Sequence, residues 1–154
     1  MRLLRTLLVF KLGALAGMTA AALFVKRAIP SSGDEESDEL KLVAVLDGIE
    51  LESRAGAFRG GSMLAWFGGI SVDLRGAELA PGARLTAQSL CGGIALRVPP
   101  TWRIESTATS IAGGIETRTP AQDDPDAPVL RLEGAAYFGG IAVFAKPDGE
   151  ADEG

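Results

Sequence analysis

The chain of 154 residues has no histidine, a single cysteine (Cys91), a single tyrosine and an aromatic content of only 6%. Without histidine there is no ordinary general base near neutral pH, no serine–histidine–acid triad and no imidazole metal ligand. One cysteine excludes an internal disulfide. Phosphate-cradling glycine loops are also missing, because Gly60-Gly61 and its fellows lack the lysine, threonine and spacing such loops use. Glu50 and Glu52 share a strand face and are the nearest thing to paired carboxylates, but neighbouring outward acids read as a solvated face. No catalytic, cofactor-binding or metal-ligating residue is assigned, and the expected class is a non-enzymatic one.

Glycine, by contrast, is abundant, with 20 copies, and its placement is periodic. Five windows repeat one pattern: Leu46-Asp47-Gly48-Ile49, Phe67-Gly68-Gly69-Ile70, Cys91-Gly92-Gly93-Ile94, Ala112-Gly113-Gly114-Ile115 and Phe138-Gly139-Gly140-Ile141. They recur 21, 24, 21 and 26 residues apart. A period in that range marks stacked supersecondary units, each too small to bury an apolar face alone.

After each glycine step apolar residues alternate, as in Ile70, Val72 and Leu74 or Ile94, Leu96 and Val98. Before it they alternate in the opposite parity: Met63, Ala65 and Phe67; Leu85, Ala87 and Cys91; Trp102, Ile104 and Ala112; Leu130, Leu132 and Phe138. Side chains along a strand alternate with a period of two, so a phase flip requires a corner. Glycine at positive φ is the expected device. On that reading Gly69→Val and Gly93→Val each lower the melting temperature sharply. Stacking in sequence order places Ile49, Ile70, Ile94, Ile115 and Ile141 in one interior column, with Leu51, Val72, Leu96, Thr117 and Val143 beside it. Glu52, Asp73, Arg97, Arg118 and Phe144 then form an outer row, in which Glu52 beside Asp73 and Arg97 beside Arg118 are unfavourable. The expected fold is an all-β solenoid or β-roll of about five short repeats over residues 40–146. A two-sheet β-sandwich with glycine bulges is the alternative.

Charge divides the chain. Residues 1–30 carry Arg2, Arg5, Lys11, Lys26 and Arg27 with no acid, so the remainder carries the whole acidic excess behind a net charge of −5. That excess argues against nucleic acid as a partner. Leu7 to Val25 is apolar apart from Lys11, and 19 residues at 1.5 Å each span about 28 Å, close to a bilayer's hydrocarbon core. Residues 7–27 are therefore expected to be one transmembrane helix after a short segment 1–6. A signal peptide cleaved after Ala22 is the alternative. The amino-terminal cations favour a cytoplasmic start and an extracytoplasmic domain. Residues 28–39 read as an acidic tether, 119–128 as an inserted loop and 147–154 as a disordered acidic tail.

Cys91, Phe67, Trp102 and Phe138 fall on interior parity and are expected in the core. Trp66 and Tyr137 fall on the opposite parity and Phe144 points outward, so these three are the candidate partner contacts.

Phe58-Arg59-Gly60-Gly61-Ser62, the run from Trp66 to Arg75 with its Asp73-Leu74-Arg75, Leu90-Cys91-Gly92-Gly93-Ile94, and Val98-Pro99-Pro100-Thr101-Trp102-Arg103-Ile104 together resemble the carboxy-terminal domain of LiaF-type proteins. The likeness covers roughly residues 55–145. It implies a bacterial cell-membrane protein of the cell-wall antibiotic response group, acting in envelope-stress signalling through a protein partner such as a sensor kinase or envelope protein. It supplies no catalytic residue. The alternative function is a secreted or self-associating scaffold.

Overall fold

The computed structural model describes residues 31–145, so the expected transmembrane helix at 7–27 and the tail at 147–154 lie outside the described residues. Among the described residues no helix is long and apolar enough to cross a membrane.

Five β-arches are joined by four turns. They are β1 (Glu39–Val45) and β2 (Gly48–Glu52); β3 (Phe58–Trp66) and β4 (Gly69–Asp73); β5 (Leu79–Leu90) and β6 (Gly93–Arg97); β7 (Arg103–Ser106), β8 (Thr109–Ile111) and β9 (Gly114–Arg118); and β10 (Val129–Tyr137) and β11 (Gly140–Phe144). Every pairing between strands is parallel, which makes the molecule a β-solenoid and removes the sandwich alternative. One sheet runs β1-β3-β5-β10-β7, with β8 also on β10, and the other β2-β4-β6-β11-β9.

The isoleucines share one column, but its order is Ile49, Ile70, Ile94, Ile141, Ile115 rather than the sequential one. The last winding to appear in the chain is inserted between the third and fourth. Electrostatics agrees with this order: Phe144 separates Arg97 from Arg118, so the expected arginine pair does not form, while Asp73 lies between Glu52 and Arg97. The turn from Val98 to Trp102 skips one layer, closed by the Trp102 N–H donating to the Pro99 carbonyl at 3.1 Å. Residues 119–128 bring the chain back. Within that return, a short 3-10 turn at Pro120–Asp123 positions Gln122, whose amide bonds both the N–H and the carbonyl of Ile104.

Inside, Ile70, Ile94 and Ile141 are at most 2% exposed, and Val72, Leu96 and Val143 at most 1%. Burial of each such side chain contributes about 1.5–3 kcal/mol. Trp102 is buried as expected and stacks on Phe58 with ring centroids 6.4 Å apart. Cys91 and Phe67 are only half-buried and Phe138 is 66% exposed, which corrects their assignment to the core. Each sits beyond its strand, where alternation no longer decides which way a side chain points.

Candidate functional site

The corners decide what the outside of the solenoid looks like. At each one the left-handed residue is the one before the glycines: Leu46, Phe67, Cys91, Ala112 and Phe138 all have φ between 50° and 54°. None is β-branched, as left-handed backbone requires. The glycines are retained for a different reason. A Cβ on Gly68, Gly92, Gly139 or Gly113 would lie 1.9–2.2 Å from a carbonyl oxygen of the adjacent winding, namely Asp47, Gly68, Gly92 and Gly139 in turn. Asp47 holds the equivalent place in the first winding, where no described winding precedes it. A second sequence signal marks the inner side of the corner: Ala44, Ala65, Ser89, Ala136 and Ser110 form a row of small residues. The Ser89 hydroxyl, fully buried, donates to the Gly92 carbonyl at 2.7 Å.

The second glycine of each pair has no such neighbour. A Cβ on Gly48, Gly93 or Gly114 would meet nothing within 4 Å, and one on Gly69 or Gly140 only a carbonyl at 4.0 or 3.5 Å. The expectation that Gly69 and Gly93 are the indispensable glycines is therefore corrected to Gly68 and Gly92. Instead, Gly48, Gly69, Gly93, Gly140 and Gly114 line up across the outer face of the second sheet. Beside them runs a row of Glu50, Ser71, Ala95, Ala142 and Glu116. These two rows floor an open, mostly apolar groove of about 830 Å³. With strands about 4.8 Å apart the groove runs about 19 Å, the length of roughly six extended residues. Glu50 stands at one end and Glu116, ion-paired with Arg118, at the other.

On the first sheet the outer face is uncharged next to the corners, while farther along its strands it carries ion pairs, Arg84 with Glu133 and Glu105 with Arg103 and Arg131. One column holds Val45, Trp66, Leu90, Tyr137 and Ile111, and the column of corner residues lies next to it. The column on its other side, Val43, Leu64, Gln88, Ala135 and Thr109, is also uncharged. Leu46, Ile111, Tyr137 and Phe138 are 51%, 59%, 41% and 66% exposed. Trp66 packs with Leu64 against the buried Val43 and Val45.

Two of the candidate contacts thus share a surface. Trp66 and Tyr137 stand in one column with Leu90 between them. Phe144 is on the other sheet, flanked by Arg97 and Arg118. Glu52 bonds Arg54 at 3.4 Å, and Glu50 faces the groove, so the two acids do not form a site together. Asp73 receives the Arg75 guanidinium at 2.6–3.0 Å, and that bond holds its carboxyl below the usual carboxylate range. This is the geometry behind the Asp-Leu-Arg motif. Among the described residues no group of three histidine, cysteine or acidic side chains is arranged to hold a metal ion.

Comparison of the chain with protein-family models, with curated proteins and with solved structures found no match.

Proposed function

We propose that this chain is a membrane-anchored, non-enzymatic binding protein of a bacterial envelope, whose solenoid receives an extended segment of a protein partner in the groove of the second sheet. The observation that carries the reading is the floor of five aligned glycines with small side chains beside them, open to the outside. A flat floor of that kind accepts a backbone at close range. Its length fits about six extended residues, and Glu50 and Glu116 at its ends favour a segment with a cation at each terminus. The apolar run at 7–27 supplies the anchor, and the resemblance to LiaF-type domains supplies the setting, envelope-stress signalling with a sensor kinase or another envelope protein as partner.

Two edges of the first sheet are partly covered, which weighs against the self-associating scaffold. Ser32 covers β1 through an antiparallel bridge to Lys41, and the Gln122 amide occupies the Ile104 backbone on β7. Stacking another winding before the first would set the Asp47 Cβ against a carbonyl, as at the equivalent glycines.

The test uses the full chain in lipid nanodiscs and a six-residue peptide with lysine at both ends and small apolar residues between. Binding measured by calorimetry should fall at least tenfold for Ala95→Trp, which fills the floor from outside, and for a peptide ending in glutamates. Equal binding by the filled and open grooves would refute the reading.

A further inference from the structure

The apolar face of the first sheet is not used by the groove, and three adjacent columns of it contain no charged side chain. We propose that this face lies on the lipid surface of the bilayer that holds the chain, with Phe138, Ile111, Leu46 and Tyr137 seated in the interfacial layer. The inference rests on the reading of residues 7–27 as the anchor, and three observations carry it.

The first is where the chain arrives. Ser32 pairs with Lys41 in antiparallel fashion, and Ser31 bonds the Val43 backbone, its Oγ accepting from the N–H at 2.9 Å. Moving backward from Ser32 to Ser31 therefore moves forward along β1, toward the corner at Leu46. Arg27, where the apolar run ends, is four residues before Ser31, a reach of at most about 14 Å. A bilayer holding 7–27 is thus brought to the end of the solenoid where this face meets the corner.

The second is composition. Trp66 and Tyr137, the aromatic residues with a polar tip on this face, are the types that settle at a membrane–water boundary, and Phe138, Ile111 and Leu46 beside them are large, apolar and more than half exposed. The third is charge. The columns themselves are neutral, while Lys26 and Arg27 follow the apolar run in the sequence and supply cations that lipid phosphates attract. The acids on this face, Glu133 and Glu105, stand beyond the three neutral columns and are ion-paired, Glu133 with Arg84 and Glu105 with Arg103 and Arg131, while Glu50 and Glu116 stand on the other outer face.

The two tryptophans provide the test, because Trp66 is on this face and Trp102 is 3% exposed in the core. The full chain, labelled with 5-fluorotryptophan and reconstituted in phosphatidylcholine/phosphatidylglycerol nanodiscs, gives two fluorine resonances, assigned with Trp66→Phe. Phospholipid spin-labelled near the headgroup should broaden the Trp66 resonance and leave that of Trp102 sharp. The double variant Phe138→Asp/Ile111→Asp, both at exposed positions, should restore the Trp66 signal while the protein still resists alkaline carbonate extraction. An unbroadened Trp66 in a protein that resists extraction overturns the proposal and leaves the anchor standing. Extraction by carbonate removes the anchor reading, and the same broadening at neutral pH then judges this face alone. Protection of Trp66 that appears only in a cross-linkable dimer overturns the proposal in favour of a second copy.

Discussion

The two glycine columns, one residue apart at four of the five corners, have opposite physical roles. Gly68, Gly92, Gly139 and Gly113 face a neighbour's carbonyl at a distance no Cβ tolerates, whereas Gly69, Gly93 and Gly140 face open space or ordinary contact. A glycine pair is therefore not one feature. Its first member lets windings stack, and its second keeps the groove floor bare. The left-handed bend belongs to neither of them, since it falls on the residue before.

The largest effect expected from breaking this contrast is at Gly92, which has a winding on each side. Gly92→Ala should destabilise the domain by about 3 kcal/mol or prevent folding, measured by urea denaturation. Gly113→Ala meets the same obstruction in the terminal winding, where stacking is one-sided. A loss of roughly 1 kcal/mol confined to residues 103–118 is expected, visible as faster amide exchange there and not elsewhere. Phe138→Gly should stabilise by about 0.5–1 kcal/mol, because relief of left-handed strain exceeds the added freedom of the unfolded chain and an exposed ring loses little packing. Gly93→Ala should have the opposite sign to Gly92→Ala, raising stability by about 0.5 kcal/mol, since a strand alanine is favoured over glycine where space allows. Equal losses at positions 92 and 93 would abolish the distinction between the columns.

Smallest is an acid effect away from both columns. Arg75 lowers the folded-state pKa of Asp73 below its ordinary value of 3.8. The protons bound therefore differ between states only in acid, so the contribution is complete above about pH 5 and declines as pH falls through and below 3.8. Asp73→Asn should flatten that part of the stability profile by slightly lowering the neutral value, with the two proteins converging as the pH falls below 3.8.

Much of this was legible before any coordinates. Gly-Gly-Ile spacing and the parity flip carry the solenoid and the isoleucine column, because both follow from side-chain alternation alone. The winding order was not legible, since Ile115 and Ile141 present the same inward group and periodicity is unchanged when they trade places. Two local signs did point to it, the Arg97–Arg118 conflict and the long 119–128 return. The outward positions of Trp66 and Tyr137 follow from parity within their strands, whereas Phe67, Cys91 and Phe138 were misassigned by extending that parity one residue into the corner. The glycine floor was hidden for a related reason: the sequence shows two identical residues, and only the stacking distance tells which one is crowded.

The inverted order of the last two windings also sets a schedule for biosynthesis. Strands β7, β8 and β9 pair only with β10 and β11, which leave the ribosome later. A nascent chain can register its first three arches as they emerge, but the fourth has no native template until residues 129–145 arrive and slip in beneath it. Truncation before Val129 should accordingly unmoor two arches rather than one, leaving residues 103–118 as sensitive to protease as an unfolded segment.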